Sequence, residues 1–201
     1  MKKRFISIIL SVLLLGNMAV FANTNYTDIN ESDHFWDEVM FATEKGVING
    51  TDNNQFKPKD TLTIAEAIKI SACINANFYE KEITPYDNST HWVDAYYDYA
   101  IQNGIIKEGD FAKVDFDTPI TKDRLFFIFA NTLPDSEYIV LNDPESSPQT
   151  PMAAYVEKLF CAGIITGNEN GLELENHIVR EECVILISRM MAYSRRQIVT
   201  E

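Results

Sequence analysis

The feature that most constrains this chain is internal: two independent landmarks recur at one period. Gly46-Val47-Ile48, Gly104-Ile105-Ile106 and Gly163-Ile164-Ile165 are separated by 58 and 59 residues. Leu62-Thr63, Ile120-Thr121 and Ile178-Val179 follow them at spacings of 58 and 58. Self-similarity at a fixed period makes each copy one supersecondary unit, and such units bury their apolar faces by packing on one another.

The three copies share a grammar. Each begins with an aromatic-rich amphipathic stretch, at 35–45, 92–103 and 152–162. In the second, Trp92, Tyr96, Tyr99 and Ala100 recur at helical spacing. Each stretch stops at its Gly, the residue suited to the left-handed position that ends a helix. A polar turn follows, such as Asn49-Gly50-Thr51-Asp52 or Thr166 to Gly171, then a short extended segment and a second helix.

The second helices are expected near 61–78, 119–133 and 178–193. Thr63 and Glu66 have capping-box spacing. Thr121 repeats the cap, but Arg124 stands where the Glu would be. Val179 has no oxygen to cap with, which leaves Asn176 as the expected cap of the third. The helix bodies are strongly apolar: Ile64 and Ile68; Leu125, Ile128, Phe129 and Leu133; Cys183, Leu186, Ile187 and Met190. Faces this wide suit a shared central bundle. The predicted fold class is all-α: six helices as three helix–loop–helix repeats in a pseudo-threefold bundle, with short extended segments. The units span 23–83, 84–140 and 141–194, with a tail at 195–201.

Before the first unit, Lys2, Lys3 and Arg4 precede an apolar run from 5 to 15, and Val20-Phe21-Ala22 offers small residues at cleavage positions. Residues 1–22 therefore read as a secretory signal peptide, and the run is too short to span a ~30 Å bilayer core comfortably. Its removal takes three bases and no acid from a formal net charge of −13, leaving −16. So acidic a surface argues against nucleic acid and anionic lipid as partners. It favours a soluble extracellular life.

Chemistry-bearing clusters are sparse. Cys73, Cys161 and Cys183 are odd in number and irregular in spacing, which is no disulfide framework. Pairing of Cys161 with Cys183 stays open, beside the simpler reading of small buried apolar residues. His34, His91 and His177 lack metal-ligand spacing. Asp52-Asn53-Asn54 begins like a calcium loop, but Phe56 and Pro58 stand where a Gly turn and ligands are needed. Glu108, Asp110, Asp115 and Asp117 read as a solvated acidic loop. No nucleophile elbow occurs and nothing selects a carboxylate pair. The sequence predicts no enzyme, no cofactor and no metal.

Taken together, the motifs resemble the S-layer homology repeat. The first copy carries Tyr26-Thr27-Asp28, Trp36, Gly46-Val47-Ile48-Asn49-Gly50, Phe56-Lys57-Pro58 and Thr63-Ile64-Ala65-Glu66. The second keeps His91-Trp92, Gly104-Ile105-Ile106 and Ile120-Thr121-Lys122; the third keeps Gly163 to Gly167 and Ile178-Val179-Arg180-Glu181-Glu182. The resemblance implies grooves that hold a secondary cell-wall polysaccharide ending in a pyruvylated sugar, whose carboxylate pairs with the Arg of a Thr-Arg-Ala-Glu motif. Such a guanidinium would stand beside unpaired N–H groups at a helix N-terminus. Only Arg180 occupies that position; Lys122 is a point charge without the fork, and Ile64 cannot serve. Trp92 aligns with the family's Trp, whereas Trp36 is out of register and Pro151 takes the third place.

The expected glycan-binding residues are thus Arg180, Lys122 and Trp92, with cell-wall polysaccharide as partner and surface anchoring as function. Plainer roles stand beside them: Arg180 as a surface charge among acids, Lys122 and Arg124 as solvated charges, Trp92 as a packing anchor. The rival function is a surface interaction or assembly protein, with a protein partner, that kept the fold and lost glycan binding.

Overall fold

A computed structural model describes residues 26–147, 151–168 and 170–199; the predicted signal peptide at 1–22 lies outside them. The protein is mainly helical: α1 (Trp36–Glu44), α2 (Ile64–Phe78), α3 (Asp94–Gln102), α4 (Lys122–Ala130), α5 (Ala154–Cys161) and α6 (Arg180–Met191), with short 3₁₀ turns between them. Among the described residues the extended segments form only isolated bridges, and no strand.

The helices pair in a way the sequence does not announce. Each first helix packs on the second helix of the preceding unit: α3 on α2, α5 on α4, and α1 on α6, which closes the circle. The expected hairpins are therefore not the packing units. An exposed first helix with one apolar face reaches across to the neighbour's second helix, and α2 touches both α4 and α6 at the centre. Central position explains α2's composition: Ile64, Ala65, Ala67, Ile68, Ile70, Ala72 and Ile74 are all buried, on more than one face.

Three segments spaced by the sequence period are pinned together by their backbone. Leu62 N–H donates to Ile178 C=O (3.0 Å), Ile178 N–H to Ile120 C=O (3.3 Å), and Ile120 N–H to Leu62 C=O (2.9 Å). The loop of bonds is closed, and its members are spaced by the 58-residue period. Around it, the first N–H of α2, α4 and α6 donates to Thr118, Asn176 and Asp60 C=O respectively, at 3.0, 2.8 and 3.0 Å. The second N–H of each, on Ala65, Asp123 and Glu181, reaches Phe116, Leu174 and Pro58 C=O. Helix N-terminal donors, orphaned in an isolated helix, are here satisfied by a neighbouring unit.

Local signals fix the ends. Gly46, Gly104 and Gly163 have φ of 68°, 72° and 69°. The next N–H in each case, on Val47, Ile105 and Ile164, closes back on Ala42, Ala100 and Leu159 C=O, a Schellman pattern. Thr63 and Glu66 form the expected capping box. Asn176 does not cap α6: its side chain donates to Glu173, its carbonyl accepts from Lys122 N–H, and Val179 occupies the cap position. There Glu182 Oε2 accepts from Val179 N–H (3.2 Å), one half of a capping box whose other half Val cannot supply. The second helices start later than expected because 61–63, 119–121 and 177–179 are consumed in the bridges. Leu133 is buried but lies beyond α4, since Pro134 disfavours a helical residue before it.

In the first unit the Tyr26-Thr27-Asp28 motif closes the long turn. Asp28 accepts from Phe56 N–H and Lys57 N–H, both at 2.7 Å, and the Tyr26 ring sits 5.5 Å from Phe56. All three cysteines are free thiols. Cys161 rides on α5 against α4 and Cys183 on α6 against α1, so the two belong to different packed pairs. Burial pushes each thiol's pKa up, which keeps it protonated and inert.

Candidate functional site

Arg180, the first residue of α6, is 4 % exposed. Its Nε donates to Phe56 C=O (2.8 Å), Nη1 to Glu66 Oε1 (3.0 Å) and Nη2 to Asn49 C=O (2.6 Å). The guanidinium lies 4.8 Å from the Phe56 ring centre. Three of its five N–H donors are thus taken within the protein. Glu66 holds it from the α2 side while its other oxygen accepts from Thr63 N–H (2.9 Å), so one capping carboxylate orders both a helix start and the arginine.

Arg180 is therefore no surface charge, and it has no free helix N–H groups beside it. Its own N–H donates to Asp60 C=O and that of Glu181 to Pro58 C=O. The expectation of an anion site built partly from unpaired backbone donors fails, because the neighbouring unit has taken them.

What remains is a side-chain groove of about 290 Å³. It is walled by residues 47–51, by Glu66, Lys69 and Ile70 of α2, by Trp92 and Tyr96, and by Arg180. All three units contribute. Two expected residues, Arg180 and Trp92, meet here. Trp92 is not a buried packing anchor, since 49 % of it is exposed, and its ring lies 5.5 Å from that of His91, tilted by 35°.

Lys69 was not among the expected residues. Among the described residues it makes no hydrogen bond and no ion pair. Burial pushes its pKa down, and Arg180 acts in the same direction, while Cys73 and Glu66 oppose them. Its signal in the sequence was its isolation: it is the one basic residue in the apolar run of Ile64–Phe78. Nothing in the helical period alone says that it faces a groove.

Lys122 lines a different groove, of about 210 Å³, with Phe126, Ile165, Thr166, Glu173, Glu182 and Arg189 among its walls. Its ammonium lies 3.0 Å from Glu182 Oε1 and 3.6 Å from Glu173 Oε2, and the side chain is 12 % exposed. Reading it as a solvated charge is thus corrected: it is an internal ion pair. Hydrogen bonds from Asn168 and then the Lys122 charge hold the Glu173 carboxyl below its ordinary pKa. Arg189 donates from Nη1 to Ile164 C=O (3.1 Å). Two bases face two acids, so this groove is charge-balanced.

The third position has Ile64, fully buried, and Arg124 where the other grooves carry Glu66 and Glu182. Arg124 is not simply solvated: Nη2 donates to Asp110 C=O (3.1 Å) and the guanidinium stacks 4.3 Å over Phe111. The three positions are chemically unlike one another. Among the described residues no group of three or more His, Cys, Asp or Glu is placed to hold a metal, and no helix is long and apolar enough to cross a membrane.

Comparison with known proteins agrees with the motifs. Residues 25–68 match the S-layer homology domain family. Over 117 residues, 55 % of this chain, the sequence is 26 % identical to the surface-layer 125 kDa protein of Lysinibacillus sphaericus. That stretch is 10 % of the relative's own length, so the chain spans about a tenth of it. Both matches point to the cell surface, and the chain carries an S-layer homology domain.

Proposed function

We propose that this protein is a non-catalytic surface anchor that holds secondary cell-wall polysaccharide in the groove between Lys69, Trp92 and Arg180. The observation that carries the reading is the pairing of an uncommitted cation with a half-exposed indole in one cavity. An acidic sugar, such as a pyruvylated terminal unit, presents a carboxylate and an apolar ring face, and the groove offers a partner for each. Lys69 supplies the charge contact. Arg180, already fixed by Glu66 and Asn49, offers its two remaining donors without paying further side-chain ordering.

The units at 84–140 and 141–194 are read as divergent copies of the domain at 25–68, since their backbone pairing repeats at the same 58-residue spacing. The Lys122 groove is a minor contributor, because any anion there competes with Glu182 and Glu173 for the ammonium.

A second reading, a surface assembly protein that has lost glycan binding, is favoured by the internal engagement of both Arg180 and Lys122. Sedimentation with purified cell-wall polysaccharide, before and after removal of its pyruvyl groups, separates the two. Binding that depends on the acidic groups supports the anchor; no binding to either preparation supports the assembly protein.

A further inference from the structure

The groove at Lys69 does not end at Trp92. Helices α2 and α3 run side by side in the same direction: Trp92 shares the cavity with Lys69, Tyr99 Oη donates to Asn75 Oδ1 (2.8 Å), and Lys81 Nζ donates to Asn103 Oδ1 (2.9 Å). Along this seam Trp92, Tyr96 and Tyr99 stand at i, i+4 and i+7, about 10 Å of helical rise. Tyr79 continues the row, 46 % exposed, with the Lys81 ammonium 5.2 Å from its ring centre and 6.0 Å from that of Tyr99. A chain of net charge −13 has thus placed Lys69 at one end of an aromatic strip and Lys81 at the other.

We infer that this strip is an extended subsite for the polysaccharide chain, so that the protein reads several consecutive sugars of an acidic glycan rather than its terminal unit alone. The inference rests on the groove reading above. Tyr96 and Tyr99 pack on the core with part of each ring left accessible, and with exposed Trp92 and Tyr79 they offer apolar surface to successive pyranose rings, while the cations at both ends complement acidic groups spaced along the chain. The strip is longer than one sugar ring, which a site for a lone terminal unit would not require.

The test is calorimetric titration of the purified chain with wall polysaccharide fragments, prepared by partial hydrolysis and graded by length, beside the isolated terminal unit. The longest fragments are expected to bind at least tenfold tighter than the terminal unit. Tyr79→Ala and Lys81→Gln, both at the outer end of the strip, should each weaken the long fragments roughly three- to tenfold and leave the terminal unit unchanged. Lys69→Gln should weaken both. Equal affinity at every length, or long-fragment binding untouched by Tyr79→Ala and Lys81→Gln, overturns the extended subsite while leaving the groove in place. Failure of every fragment to bind wild type overturns the groove and the subsite together.

Discussion

Arg180 Nη1 donates to Glu66 Oε1 at 3.0 Å across 114 positions of sequence, and the bond ties the third unit to the first. The arginine expected to be a ligand contact is first a structural clasp. Removing it leaves Phe56 C=O without its buried partner, and Glu66 Oε1 and Asn49 C=O without theirs at the part-exposed wall of the groove.

Arg180→Ala should therefore destabilise the protein, on the order of 2 kcal/mol, because a buried guanidinium that makes three charge-assisted hydrogen bonds is removed while partners partly open to water remain. Urea unfolding would show it as a lower midpoint at unchanged slope. Loss of glycan binding in this variant is then ambiguous by itself. A stability equal to wild type would mean that the clasp contributes nothing.

Lys69→Gln removes charge from the groove without touching that network. Affinity for an acidic glycan should fall roughly tenfold, consistent with about 1.5 kcal/mol for a charge-assisted hydrogen bond, with no loss of stability, since burial already disfavours the charged amine. Lys122→Gln should do the reverse, weakening the fold by breaking its pair with Glu182 while changing affinity little. Titration and urea unfolding of both variants decide it; the opposite pattern would move the site to the Lys122 groove.

How much of this was legible in the sequence depends on distance along the chain. Gly46 as a helix stop and the Thr63–Glu66 capping box act within four residues and could be read directly, whereas the bond of Glu66 to Arg180 could not. The 58-residue period has a counterpart in the backbone, where bonds recur at 62, 120 and 178. What periodicity could not supply is which helix packs on which, since a repeat spacing does not say whether a first helix meets its own second helix or, as α3 on α2 and α1 on α6 do, another. The groove inherits that gap. Arg180, Glu66, Lys69 and Trp92 come from three units, and only the cross-unit packing brings them together.

Two glycines with the same backbone test the packing separately from the turn. Gly46 and Gly163 have φ of 68° and 69°, so an Ala at either incurs the same left-handed cost of about 1–2 kcal/mol. A Cβ at Gly46 meets open space, whereas one at Gly163 would collide with the Gln197 backbone. Gly163→Ala should be the more destabilising by about 1–3 kcal/mol, the range for forced overpacking. Equal losses in thermal melts would show that the segment around Gln197 yields freely.

Asp94 predicts the acid limit of α3. Burial alone would raise its pKa, but the hydrogen bond and charge of Lys113, with the His91 N–H and Thr90 donors, hold it at about 2 against an ordinary 3.8. A carboxyl depressed on folding stabilises fully above its unfolded value and loses that contribution as pH falls through its folded one. Asp94→Asn should therefore be less stable than wild type above about pH 4, with the gap closing toward pH 2. Urea midpoints across that range would check it, and a gap independent of pH would mean that the ionised form is not what holds the turn.

Lys69 carries the opposite sign. Its pKa lies below the ordinary 10.5, chiefly because burial disfavours the charged amine, so between the folded and unfolded values the native protein binds fewer protons than the unfolded chain. Stability from this group accordingly rises with pH across that window. An anionic ligand reverses the balance, since it binds the protonated amine and raises its pKa. Affinity for an acidic glycan should be greatest below the lowered value and should decline as pH climbs through it, earlier than a solvated lysine would decline. Binding in that window should also draw a proton from the buffer. The neighbouring Cys73 does not imitate the effect, since burial holds its thiol protonated to higher pH. Calorimetry in buffers of different ionisation heat measures the uptake directly. Wild type should take up a fraction of a proton on binding and Lys69→Gln none; equal uptake by both, or a flat affinity profile in wild type, would remove Lys69 from the site.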